Sequence, residues 1–349
     1  MIKGEKMYPK TKAFIQAQLE AAIFPGVAFA FIEKEAIEET IWGQQMIVPH
    51  PKQLQKDILF DVASLTKVVC TTSVILRLVE QGRLDVDLPL KNYLPTFQNH
   101  QITLRHLLTH TSDIQTWIKD RDQLNKEELK AAYLKLQPGE NLGKVVQYTD
   151  AGTILLGFML EEIYQKSAVE IFYTEVLNPL GMKNSIFLPP EGLKRKIAPT
   201  EVLPDGTILQ GVTHDPKARV LKEEAGNAGL FTNLADLEIF AQMYLAKGKD
   251  YLKKETIAML LRDQTPHHDG KRSLGWDLKD TKDRQNRHLL FHTGYTGTFL
   301  LLDPKEQSAF IFLSNRVHPH DDRALYLEKR DEILALYLKE KAHKFGKVV

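Results

Sequence analysis

Ser64-Leu65-Thr66-Lys67 is the only place in the chain where a lysine follows a serine by three residues. Ser64 stands where strand-like sequence gives way to helical periodicity, and positions i and i+3 share a helix face. Lys67 can therefore point at the Ser64 hydroxyl. A helix start also offers free backbone N–H groups and a positive dipole end, which suit an oxyanion. A serine hydroxyl is a weak nucleophile until a base takes its proton. A lysine serves as that base when desolvation or cationic neighbours lower its pKa. The plain alternative is a helix cap followed by a surface lysine.

Two further segments could complete such a site. In Tyr148-Thr149-Asp150, ahead of an apolar helix, a cleft-facing tyrosine could pass a proton between Lys67 and a leaving group; otherwise Asp150 simply caps the helix. In His292-Thr293-Gly294, at the end of an apolar strand run, the strand could pair with an extended substrate. Gly294 leaves room for close backbone approach, and the N–H of Tyr295 could be a second oxyanion donor beside that of Ser64.

These segments need a frame. Residues 9–22 have helical spacing and stop before Pro25. Gly26 to Ile32 reads as a strand, with Ala36 to Trp42 as its hairpin partner. Leu65 to Gln81 is helical, stopped by Gly82. Residues 83–285 read as mostly helical, with helices at 103–108, 127–136, 151–165, 168–177 and 236–246. The runs 287–292, 298–302 and 309–313 form an antiparallel meander, and 322–341 closes the chain as an amphipathic helix. The economical fold is α/β (α+β): one antiparallel sheet from both chain ends, flanked by helices, with a helical subdomain inserted. The sheet lobe takes about 1–65 and 286–349 and the helical lobe about 66–285, within one catalytic domain. Active sites often lie in a cleft between such lobes.

Composition is ordinary for a globular chain of 349 residues, with 43% hydrophobic and 26% charged residues. With 46 Lys+Arg against 45 Asp+Glu the formal charge is +1, which argues against a general nucleic-acid binder. Lys194-Arg195-Lys196 reads as solvated surface. One cysteine, Cys70, precludes an internal disulfide and reads as a small buried residue. No signal peptide or membrane-spanning run is visible, so the expected location is cytoplasmic. His106 and His110 have a spacing that could bind zinc, but the HExxH glutamate is absent. His214-Asp215 could line the cleft. The clusters 267–269 and 318–321 read as surface turns. Of Trp117 and Trp276, the latter is the better cleft aromatic.

In this order and at these intervals, the three motifs resemble the penicillin-recognising serine hydrolases, where Ser-x-x-Lys, Tyr-x-Asn and (Lys/His)-Thr-Gly form three walls of one cleft. Within them the chain is similar to the class C β-lactamase-related group of D-Ala-D-Ala carboxypeptidases, penicillin-binding esterases and β-lactamases. Phe60 to Lys67, Gly82 to Asp85, Ile102 to Ser112, Pro179 to Met182, Ala228 to Thr232, Leu274 to Trp276 and Phe291 to Thr298 carry the likeness over about residues 10–335. The resemblance implies a β-lactamase/transpeptidase-like fold. It makes Ser64 the acylated nucleophile, Lys67 an aid to its deprotonation and Tyr148 a general base and acid. Backbone N–H groups of Ser64 and Tyr295 would form the oxyanion hole, and Asp150, His292, Thr293, Gly294 and Trp276 would meet substrate. The expected reaction is hydrolysis of a small amide or ester through an acyl-enzyme, with a D-amino-acid peptide first, an ester or a β-lactam as alternatives, and no metal or organic cofactor. A penicillin- or peptide-binding sensor without turnover is the reading from another class. Two departures stand out. Asp150 replaces asparagine and cannot donate a hydrogen bond to a substrate carbonyl; it would favour a cationic or hydroxyl-bearing substrate, or hold Lys67. His292 stands where many members carry lysine, which weakens recognition of a substrate carboxylate when the imidazole is neutral.

Overall fold

In the computed structural model, residues 7–281 and 287–344 are described. Among the described residues nine strands form: β1 (Gly26–Glu33), β2 (Ala36–Met46), β3 (Lys52–Gln53), β4 (Phe60–Asp61), β5 (Phe231–Thr232), β6 (Asp277–Asp280), β7 (His288–Gly294), β8 (Thr298–Asp303) and β9 (Ser308–Ser314). Seven make one sheet in the order β3-β2-β1-β9-β8-β7-β6, and β4 pairs with β5 apart from it. Every pairing is antiparallel. The β1–β9 ladder, from Val27 opposite Ser314 to Glu33 opposite Ser308, joins the two ends of the chain, as the apolar runs at both ends led one to expect.

The central strands are covered on both faces, which is why β1, β8 and β9 read as nearly continuous apolar runs. Val27, Phe29 and Phe31 point to one face, where Phe299, Phe310 and Phe312 join them under two terminal helices. These are α1 (Pro9–Glu20) and α11 (Arg323–Lys344). Phe299 stacks on Phe312 with ring centroids 4.9 Å apart, and Tyr337 of α11 stacks on Phe31 at 5.7 Å. Tyr326, Ile333, Leu334, Tyr337 and Leu338 form the buried stripe of α11 at helical spacing. Lys341, next along that stripe, pairs its ammonium with the buried Asp303 carboxylate.

Ala28, Ala30 and Ile32 face the opposite way, into a larger core shared with the inserted helices. These are α2 (Thr72–Glu80), α3 (Leu104–Leu108), α4 (Lys126–Leu134), α5 (Ala151–Tyr164), α6 (Ala168–Phe172), α7 (Asn178–Leu180), α8 (Pro216–Leu221), α9 (Leu234–Leu245) and α10 (Lys254–Leu260). Ala151 to Leu160 of α5 are all buried, so this helix is the axis of the helical lobe. The sequence boundary at 285/286 falls outside the described residues. β6, which the sequence reading left in the helical lobe, is the edge strand of the sheet: its Asp277-Leu278-Lys279-Asp280 is too short and polar to stand out. No described helix is long and apolar enough to cross a membrane.

Candidate active site

Ser64 sits on a tight turn between β4 and α2. Ala63 adopts a left-handed conformation at φ 46°, a strained state for a residue with a Cβ. Asp61 holds it there: one carboxylate oxygen accepts the Ala63 N–H at 2.8 Å, and the other accepts the His214 N–H at 2.7 Å. The turn leads into a π-helical turn, Lys67–Thr71, before α2 begins. Such wide turns recur at functional sites, and this one carries Lys67 under Ser64.

The Lys67 ammonium is buried and donates three ways. It reaches Ser64 Oγ at 2.7 Å, the Asn227 carbonyl at 3.1 Å and Asp150 Oδ1 at 2.8 Å. The loop bearing Asn227 comes this close because Gly157 of α5 packs on Gly226; a Cβ on Gly157 would lie 3.0 Å from the Gly226 Cα. Asp150 is also shared: its other oxygen meets Lys217 Nζ at 3.0 Å, and Lys217 meets Asp215 at 2.8 Å. Asp215 in turn caps α8 and accepts from the Asn227 amide at 3.2 Å. Charges thus alternate along Lys67, Asp150, Lys217 and Asp215.

These pairs set the charge at the site. Burial acts to lower the Lys67 pKa, but its interactions with Tyr148 and the Asp150 carboxylate prevail and raise it above the usual ammonium value. The resting lysine is thus held as a donor to Ser64. Burial likewise opposes the charge on Asp150, yet Lys67 and Lys217 hold its carboxyl well below the ordinary range. With one oxygen on each lysine, Asp150 holds Lys67 in place, the second of the two roles expected of it.

Tyr148 stands at the cleft, 47% exposed. Its ring centroid lies 5.4 Å from Lys67 Nζ and 5.9 Å from the Arg272 guanidinium carbon. His110 packs against it at 4.5 Å and accepts the Thr149 N–H on Nδ1 at 3.3 Å, which fixes the loop. His106 spends its Nδ1 on the Thr103 N–H at 3.1 Å, capping α3. The two rings thus serve different backbone segments. Burial, then Arg272 and Lys67, push the His110 pKa well below the usual imidazole value.

The third wall is the end of β7. His292 is buried, and its Nδ1–H donates to the Thr293 carbonyl at 3.0 Å. Burial first, then Lys67 and Arg272, push its pKa well down, so the ring is neutral. Gly294 does allow close approach, but of the protein's own Ser64 turn: a Cβ there would lie 2.2 Å from the Val62 carbonyl oxygen. Thr296 Oγ donates to the Asp61 carbonyl at 2.6 Å and Thr298 Oγ to that of Val62 at 3.2 Å. The Ser64 and Tyr295 peptides are clipped together in this way. Neither of their N–H groups has a backbone acceptor among the described residues. Arg316 grips the Tyr295 carbonyl through Nε at 3.0 Å and Nη2 at 2.6 Å. His214 stacks on the Tyr295 ring with centroids 5.4 Å apart.

Trp276 is corrected outright. It is fully buried, packed on Tyr244 and edge-on behind His292 at 6.5 Å, so it supports the wall and lines no cleft. Thr293 and Gly294 do line the cavity of about 350 Å³ that opens at Ser64, together with Tyr148 and His292. The sequence reading missed Asp61, Lys217, Asn227, Arg272 and Arg316. For Asp61 alone a local signal exists, its place three residues before the serine.

Gly294→Ala should separate the two N–H donors. The clash is with backbone, so the turn must move; overpacking of this kind costs about 1–3 kcal/mol, and a displacement of about 1 Å costs about 10²-fold in rate. We expect a lower melting temperature and a kcat reduced by about that factor, read by calorimetry and steady-state kinetics.

Comparison with known proteins agrees with this geometry. The family model for Beta-lactamase matches residues 11–335. An N-acetylmuramyl-L-alanine amidase of Bacillus subtilis is 28% identical, over 85% of this chain and 78% of the relative. A putative D-alanyl-D-alanine carboxypeptidase of Salmonella typhimurium is 26% identical over 87% and 82%. The solved β-lactamase/D-alanine carboxypeptidase of Pseudomonas syringae superposes with a TM-score of 0.75 at 16% identity, covering 94% of this chain and 97% of its own. Fold, order of motifs and family match coincide: the chain belongs to the β-lactamase family of serine-hydrolase-like proteins, with penicillin-binding proteins and D-Ala-D-Ala carboxypeptidases as kin.

Proposed function

We propose that the protein is a serine hydrolase that acts through an acyl-enzyme on Ser64, with a small amide as substrate and a D-amino-acid peptide foremost. The observation that carries this reading is the 2.7 Å contact between Lys67 Nζ and Ser64 Oγ at the mouth of an open cavity. A substrate carbonyl seated over Ser64 would turn its oxygen toward the N–H groups of Ser64 and Tyr295. Ser64 Oγ attacks the carbonyl carbon. Its proton is taken by the Lys67–Tyr148 pair in the form that has lost one proton, as neutral amine or as phenolate, and returns from that pair to the leaving group. Water then cleaves the ester to Ser64. Both sequence relatives are named for amide substrates, an N-acetylmuramyl-L-alanine in one and a D-alanyl-D-alanine in the other. The neutral His292, in place of the lysine of many relatives, supports a second reading as an ester hydrolase.

The test is intact-protein mass spectrometry after incubation with a penicillin and, separately, with a short-chain p-nitrophenyl ester, on wild type and Ser64→Ala. We expect a lasting penicillin adduct on the wild type alone. Ser64-dependent ester turnover with no adduct and no penicillin consumption would favour the esterase. Adduct without turnover of any amide or ester would favour a sensor. Labelling or turnover that persists in Ser64→Ala would overturn the hydrolase reading.

A further inference from the structure

Four arginines line the cavity at Ser64: Arg272, Arg316, Arg323 and Arg330. Among the described residues Asp277 is the only carboxylate on its wall, although the chain as a whole carries a formal charge of only +1. Two of the four are committed. Arg316 spends its donors on the Tyr295 carbonyl and Asp321, and Arg330 pairs with its neighbour Asp331 at 2.8 Å.

The other two have donors to spare. Arg272 is 5% exposed and pairs Nη1 with Asp277, while its Nε and Nη2 are buried with no hydrogen-bond partner among the described residues. An unmatched buried guanidinium is costly, and an acceptor brought in through the cavity that Arg272 lines would relieve that cost. Arg323 is exposed at the start of α11. Its guanidinium carbon lies 5.3 Å from the centre of the Tyr295 ring, and no ion pair ties it down among the described residues. The two arginines stand beside different residues of the cavity wall: Arg272 beside Tyr148, and Arg323 beside Tyr295, the proposed oxyanion donor. Guanidinium forks match carboxylates two bonds at a time.

We propose that this cleft selects a substrate bearing two carboxylates, one held by Arg272 and the other by Arg323. The proposal rests on the hydrolase reading of the same cavity and narrows its substrate to a dianionic, acidic peptide-like amide.

Binding without turnover tests it. Ser64→Ala protein is titrated calorimetrically with N-glutaryl-D-alanine, which has a carboxylate on each side of its amide. N-butyryl-D-alanine has one carboxylate and N-butyryl-D-alaninamide none. We expect each lost carboxylate to weaken binding by about tenfold. Arg272→Gln and Arg323→Gln, each added to Ser64→Ala, should each erase a different one of these steps. The ligand series in the parent protein needs no arginine variant, so a poorly folded Arg272→Gln does not blunt the test. Equal affinities for the three ligands, no saturable binding, or both steps surviving in both variants would overturn the proposal. The hydrolase reading fails separately, if wild type lacks Ser64-dependent turnover of p-nitrophenyl butyrate while the ligand ranking holds. Turnover with a flat ranking removes only the dicarboxylate.

Discussion

Lys67→Met and Ser64→Ala are each expected to reduce turnover by about 10³-fold or more, and the double variant by no more than the worse single change. Residues that act as one unit lose their joint contribution when either is removed. The geometry makes these two a unit: Lys67 Nζ bonds Ser64 Oγ at 2.7 Å, and every other contact of that ammonium belongs to a group that holds it in place. Methionine keeps the length and apolar stem of the side chain but has no donor or acceptor of comparable strength. The fold should survive it. Asp150 retains Lys217 at 3.0 Å, so no carboxylate is left buried without a cation, and exchange of a buried charge for an apolar isostere is often close to neutral. Melting curves should therefore overlay within a few degrees while acylation, followed by mass spectrometry, nearly stops. Acylation within tenfold of wild type in Lys67→Met would show that Ser64 is activated by another group. Additive losses in the double variant would show that the two residues work independently.

The parts of this site that were legible in the sequence are those fixed by local geometry. A serine and a lysine three apart on a helical turn must share a face, and an apolar run that ends in His-Thr-Gly must present its last residues at a strand end. The ladder between β1 and β9 was legible for a similar reason: both strands are buried on both faces, and their apolar runs announce it. What escaped is what the fold assembles over long separations. Asp61 braces the His214 N–H, Lys67 reaches the Asn227 carbonyl, and Thr296 ties its hydroxyl to Asp61 across more than two hundred residues. No periodicity or spacing encodes such pairs. Trp276 shows the opposite error. A tryptophan close to a site motif suggested a cleft wall, yet its neighbours in the fold, Phe240 and Tyr244 of α9, bury it behind His292. The resting charge of Lys67 escaped for a related reason: its burial was foreseeable, but the carboxylate and the second lysine that govern its charge become decisive only once Asp150 and Lys217 are seen to meet.

Asp150→Asn should act through that charge. In the wild type the carboxylate raises the Lys67 pKa, and the two lysines depress that of Asp150. With the carboxylate gone, the burial that already opposes the ammonium goes less opposed, and the Lys67 pKa should fall. If the neutral amine is the form that relays the Ser64 proton, the rising limb of kcat/KM against pH should move to lower pH by about one unit or more. Stability moves with it, and its sign follows from the two shifts. A carboxyl depressed on folding stabilises at pH above its unfolded value of about 3.9, and that contribution is lost as pH falls through the folded value. An ammonium raised on folding stabilises below its unfolded value of about 10.4, and that contribution is lost as pH rises through the folded one. The wild type should therefore exceed Asp150→Asn in stability by about 2 kcal/mol on a plateau between about pH 5 and 9, with the gap closing on the acid side. The amide can still accept from one lysine, and Asp215 still pairs Lys217 at 2.8 Å, so global unfolding is not expected. Melting temperatures at pH 3, 5, 7 and 9, beside pH–rate profiles of both proteins, separate the two effects. A pH-independent gap would mean that the carboxylate stabilises by packing alone. A rising limb that stays in place while the stability gap behaves as expected would leave Asp150 a structural counter-ion and move the proton relay from Lys67 to Tyr148.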